Sequence, residues 1–159
     1  MLYYIVTMRN GGLIMNRINL ICLGVADMSR ALAFYKEIGF KTYETSANPP
    51  IVFFDNEGTK LELFPIEELA KDINEENPPQ PQKNGFSGIT FAINTKSAEE
   101  VDLLMENVRK AGGKIVKKPE KNALWDGYTG YFTDLDGYYW EVAYGKSWAF
   151  DENNMLVIE

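Results

Sequence analysis

The sequence predicts an α+β fold: two βαβββ modules forming a curved, cup-like mixed sheet with helices on its outer face. Three observations predict it. A strand–helix pattern ending in glycine runs through residues 18–40 and recurs over residues 86–114. Each copy is followed by a matching stretch, residues 53–64 and 131–143. There Phe54 falls on Phe132, Gly58 on Gly137 and Glu62 on Glu141, with one residue deleted. Between the copies lies an acidic, proline-containing segment suited to crossing from one module to the other. Repetition of this kind marks supersecondary units that bury their apolar faces together.

In chain order, residues 1–15 form an N-terminal extension or edge strand, with LYYIV carrying the strand pattern. Residues 16–66 make the first module. Its opening strand directs Ile21, Leu23 and Val25 toward the helices and Leu20, Cys22 and Gly24 to the opposite face. The helix that follows is capped by Asp27 or Ser29, shows an apolar stripe of Met28, Ala31, Leu32 and Tyr35, and stops at Gly39. The turn Asn56-Glu57-Gly58 joins the last two strands. On the closing strand Leu61 and Leu63 face the helices, so Glu62 faces away.

Residues 67–85 are the linker, a short acidic helix followed by a proline-rich stretch. Residues 86–145 repeat the plan. Ile89, Phe91 and Ile93 point to the helices, and Gly88, Thr90 and Ala92 to the other side. Ser97 and Glu100 read as a capping box, Val101, Leu104, Met105 and Val108 as the stripe, and Gly112 as the stop. Asp136-Gly137 is the hairpin turn, with Trp140 and Val142 facing the helices and Tyr139 and Glu141 opposite them. Residues 146–159 are a C-terminal extension of the same single domain. The faces turned from the helices are small-residue surfaces with one glutamate each, the expected lining of a cup.

Composition narrows the chemistry. Sixteen basic against 23 acidic residues leave a formal charge of −7, which repels nucleic acid and anionic membranes. No apolar run reaches the length of a membrane span, and no secretory signal opens the chain. The lone Cys22 forms no internal disulfide, which fits a cytoplasmic protein. Histidine is absent altogether. That removes the commonest metal ligand and the commonest general base near neutral pH.

The strings LGVADMSRALAFYKEIGF, KLELF and GYFTDLDGYYWEVAY, in register with the repeat, resemble the vicinal-oxygen-chelate superfamily over residues 16–159. That superfamily includes lactoylglutathione lyase, extradiol dioxygenases and bleomycin-resistance proteins. Residues 125–154 resemble an uncharacterised bacterial glyoxalase-like branch. In metal-dependent members, the resemblance implies, two histidines on the opening strands and two glutamates on the closing strands hold the ion. Carried over, those positions fall at Leu20 and Gly88, which offer no side-chain ligand, and at Glu62 and Glu141. The expectation is therefore no cofactor and no resident metal; two carboxylates with water could hold magnesium or manganese only weakly.

Two functions follow as expectations. One is a metal-free small-molecule binder of the bleomycin-resistance kind, taking a cationic or aromatic ligand. The alternative is a metal-dependent lyase or isomerase of the lactoylglutathione lyase type, a carbon–sulfur lyase using Glu62 and Glu141. The two glutamates are the candidate catalytic residues, as a general base beside a carbonyl. They could equally attract a cation, or be tied to Lys60 or a tyrosine hydroxyl. Candidate ligand contacts are Trp125 and Tyr128, in a loop-like stretch suited to stacking, with Tyr139, Thr90 and Cys22 on the cup face. Cysteine in a strand is otherwise a small apolar filler. The resemblance also implies a homodimer.

Overall fold

The computed structural model describes residues 8–9, 12–13, 16–82 and 85–158. The LYYIV segment expected as a strand lies outside them. A two-residue ladder pairs β1 (Met8–Arg9) with β2 (Gly12–Leu13). The first module then runs β3 (Leu20–Val25), α1 (Met28–Glu37), β4 (Val52–Phe54) and β5 (Lys60–Pro65). After α2 (Ile66–Ile73), the second module runs β6 (Thr90–Thr95), α3 (Ala98–Lys110), β7 (Lys114–Lys121), β8 (Gly127–Thr133) and β9 (Tyr139–Gly145). The sheets are separate, with strand orders β3-β5-β4 and β6-β9-β8-β7. In each, the opening strand lies parallel to the closing strand, and the remaining pairs are antiparallel.

The second module has the predicted βαβββ order. The first replaces its second strand with an irregular edge. Thr42 Oγ1 still donates to Phe53 O at 2.7 Å, and Asp55 N donates to Lys41 O. Beyond it, Glu44 N, Ser46 N and Asn48 N are taken by the side chains of Thr42, Glu44 and Ser46. These local turns compete with a ladder for the same amides, and Pro49 and Pro50 follow.

The helices form where their caps and stripes place them. Asp27 accepts from Arg30 N and Ser97 from Glu100 N, each closing an otherwise free first-turn amide. Glu100 reaches one residue farther back than a standard capping box, to Lys96 N. Met28, Ala31, Leu32 and Tyr35 of α1 and Val101, Met105 and Val108 of α3 are buried in one core. Both sheets share it, through Leu23, Leu61 and Leu63 on one side and Phe132, Trp140 and Val142 on the other. Tyr35 sits at the junction, its ring 5.6 Å from Phe54 and 6.0 Å from Trp140.

Polar ties from the β8–β9 turn lock the modules together. Tyr35 Oη donates to Asp134 at 2.5 Å, Ala26 N to Asp136 at 2.8 Å, and Tyr138 Oη to Gly24 O at 2.8 Å. Asp134 also accepts from Asp136 N and Tyr138 N, so it shapes the turn and joins the halves at once. Burial pushes its carboxyl above the usual range despite the Tyr35 bond. The same burial, reinforced by Asp134, drives the Tyr35 hydroxyl well above that of a free tyrosine. Among the described residues no helix is long and apolar enough to cross a membrane.

Candidate functional site

Strand register decides which site residues meet. On the first sheet Cys22 lies opposite Glu62, with Phe53 across the other edge of β5. On the second, Ala92 lies opposite Glu141 and Thr90 opposite Tyr139. Since Glu62 and Glu141 are equivalent, Cys22 corresponds to Ala92, and Leu20 corresponds to Thr90. The pairing of Leu20 with Gly88 is thus corrected by two residues. Gly88 precedes the strand, as does Ile89, which is 58% exposed rather than facing the helices. The misplacement arose because the alternation of β6 continues upstream into residues that leave the sheet.

Glu62 is buried, and Lys60, two residues away, is not its partner: the ammonium instead bonds Asp55 at 2.9 Å and the carbonyl of Asn56. The thiol of Cys22 is pushed up to about 11, first by burial and then by the charge of Glu62, so it is not a nucleophile at neutral pH. Glu141 is half-buried and differently dressed. Its Oε1 accepts from Thr129 Oγ1 at 3.0 Å and Tyr131 Oη at 2.9 Å. Burial, then this bond, raises the Tyr131 hydroxyl above its ordinary value. Tyr139 stands two residues along the same strand face, with the Phe86 ring edge-on at 5.3 Å. Thr129 and Tyr131 were not among the predicted ligand contacts, although counting back from the Asp136-Gly137 turn places Tyr131 opposite Glu141.

Two predicted contacts have partners within the chain. Tyr128 faces the helix layer, donating to Asp102 of α3 at 2.8 Å, because odd and even positions of β8 point opposite ways. The Asp102 bond also raises the Tyr128 hydroxyl. Trp125 stacks on Trp148 at 5.2 Å and 19°. Glycines make this possible: a Cβ on Gly127 would lie 1.5 Å from the Trp125 ring, and one on Gly145 2.5 Å from Trp148.

A cavity of about 630 Å³ lies between β3 and β6, walled by Ile21, Phe40, Phe91, Ile93 and Trp140. Of the predicted site residues it includes Thr90 alone; Glu62 and Glu141 do not line it. By sheet register Leu20, Glu62, Thr90 and Glu141 occupy equivalent places in the two modules, and Gly88 lies just before β6. Leu20 has no lone pair, the Thr90 hydroxyl is engaged with the Tyr139 carbonyl at 3.2 Å, and Glu141 is already bonded. Among the described residues, no group of three or more cysteine, aspartate or glutamate side chains is arranged to hold a metal ion. These residues do not fit the family's metal.

The comparisons agree with the fold. Residues 17–142 match the family model described as the Glyoxalase/Bleomycin resistance protein/Dioxygenase superfamily, and the chain belongs to that superfamily. The chain is similar to the structure of a glyoxalase-related enzyme from Fulvimarina pelagi. The TM-score is 0.79 at 26% identity, over 91% of this chain and 99% of that one. It shares its fold with a lactoylglutathione lyase from Agrobacterium tumefaciens, at TM-score 0.62 and 22% identity, covering 87% of this chain and 100% of that one. In sequence it is 28% identical over 113 residues to the uncharacterised protein YraH of Bacillus subtilis strain 168, 70% of this chain and 85% of that protein.

Proposed function

We propose that this is a cytoplasmic, metal-independent member of the superfamily that binds a small cationic aromatic molecule on its carboxylate faces. One observation carries the reading: Glu141 is held by Thr129 and Tyr131 beside the Tyr139 and Phe86 rings. A fixed carboxylate flanked by aromatic faces suits a cation carrying an apolar body. The donor set supports binding over metal-dependent lyase chemistry, since none of Leu20, Gly88 and Thr90 is a histidine and the chain has none to supply an imidazole.

Homodimer formation is part of this reading. Leu20 and Phe53, 40% and 52% exposed, flank Glu62, while Phe86 and Ile89 stand exposed just before β6. A second chain laid over these apolar residues would bring the Glu62 face of one protomer to the Glu141 face of its partner.

Isothermal titration with benzyltrimethylammonium tests the proposal. Saturable binding is expected, weakened about tenfold or more by Glu141→Gln. Absence of binding, or equal binding by the variant, refutes it. Light scattering reads the dimer independently.

A further inference from the structure

We propose that the seam between the modules is a second ligand site, taking an uncharged, largely aromatic small molecule, with the C-terminal segment as its strap. At about 630 Å³ the cavity has the size of sites that enclose drug-sized organic molecules. Phe40 and Phe91 meet Trp140 at 5.8 and 4.9 Å, giving one aromatic wall, and Ile21, Leu61 and Ile93 give an aliphatic one. Flat apolar molecules pack well on such surfaces.

The rim selects against charge. Lys60 is matched by Asp55, and Asn154 accepts from Lys96 at 2.5 Å and donates to Glu57 at 3.0 Å. A charged ligand would lose its hydration against largely apolar walls, with Lys60 already paired and Glu57, bonded to Asn154, at the exposed rim. Neutral polar groups do better. Thr90, Phe91, Ala92, Ile93 and Asn94 line the cavity consecutively, and β6 is an edge strand. Its main chain can therefore offer donors and acceptors to a carbonyl, hydroxyl or ring nitrogen.

The strap is residues 154–158. Met155, Leu156 and Ile158 line the cavity's edge, and Leu156 forms a single bridge with Phe150. The Met155 side chain seats on Gly58, where an added Cβ would stand 2.5 Å from its sulfur. Gly58 also has φ +73°, so glycine serves both the turn and the seat. Asn154 ties the strap to both modules through Glu57 and Lys96. So short a segment, with Met155 and Ile158 exposed, opens at lower cost than any core element.

Titration of the full chain with Nile red, an uncharged dye, tests the site. The expected result is one dye per chain with blue-shifted emission. Leu156→Trp, which fills the cavity, should weaken binding about tenfold or more; Ile21→Trp, at a partly buried wall position, serves if that variant loses its far-UV dichroism. The double variant Glu62→Gln, Glu141→Gln should keep its affinity within about twofold, because the sites are separate. Asn154→Ala should speed association and dissociation together. No saturable binding, unchanged binding in both folded filling variants, or loss of binding in the glutamate double variant overturns the proposal.

Discussion

Replacing Tyr35 by phenylalanine removes one oxygen from the place where the modules join. The ring keeps its neighbours Phe40, Phe54 and Trp140, and both Tyr35 and Asp134 are buried, at 1% and 5% exposure. What is lost is the 2.5 Å bond to Asp134 Oδ2, since Oδ1 keeps the amides of Asp136 and Tyr138. A buried hydrogen bond to a charged group contributes about 1.5–3 kcal/mol. For a chain of this size that corresponds to a fall of about 3–12 °C in Tm.

The pH dependence gives a sharper test. Burial raises the Asp134 carboxyl and the Tyr35 bond holds it down, so the variant's carboxyl rises further. A carboxyl raised in the folded state contributes stability that is fully present below its unfolded value and lost as pH rises through the folded one. The variant's deficit should therefore be smaller near about pH 4.5 and larger near about pH 8. Asp136, raised chiefly by burial, shares the region and affects both proteins alike. Urea unfolding at both pH values measures it. A deficit under about 0.5 kcal/mol, or one that shrinks toward alkaline pH, would refute the reasoning.

Other outcomes are open to direct measurement. Ser97→Ala, which frees the Glu100 amide, should cost about 1 kcal/mol in denaturant unfolding. Phe132→Ala, emptying a fully buried site stacked on Trp140, should cost about 3–5 kcal/mol. Gly127→Ala should unseat Trp125 from Trp148, changing the near-ultraviolet dichroism while the far-ultraviolet spectrum is kept. Leu20→His with Thr90→His should create nickel or zinc binding, detectable by calorimetry, that the parent chain lacks; no gain would argue that the four positions do not meet even in a dimer.

The repeat made the fold readable, because duplicated strand, helix and turn signals support each other. Caps at Asp27 and Ser97 and the inward residues of β5 and β9 follow from local chemistry and alternation alone. Thr90 was identified as facing away from the helices, but its equivalence to Leu20 depended on where β6 begins, which periodicity does not mark. The intrachain partners of Trp125 and Tyr128 were hidden for a similar reason: an aromatic in a glycine-rich stretch suits a ligand stack as well as a partner such as Trp148 or Asp102, which only tertiary packing reveals. The irregular edge after α1 turned on competition between side chains and ladder for single amides. That contest is decided by a few tenths of a kcal/mol to about 1 kcal/mol and leaves little trace in hydrophobic pattern.

Asp134, Asp136 and Tyr138 tie the modules from a turn on the core side, whereas Glu62 and Glu141 stand on the opposite strand faces. Folding and the proposed recognition thus draw on different residues. Exposed positions such as Leu20, Thr90 and Ala92 can be exchanged with little penalty to the frame, so a scaffold of this design can acquire new ligand preferences one side chain at a time.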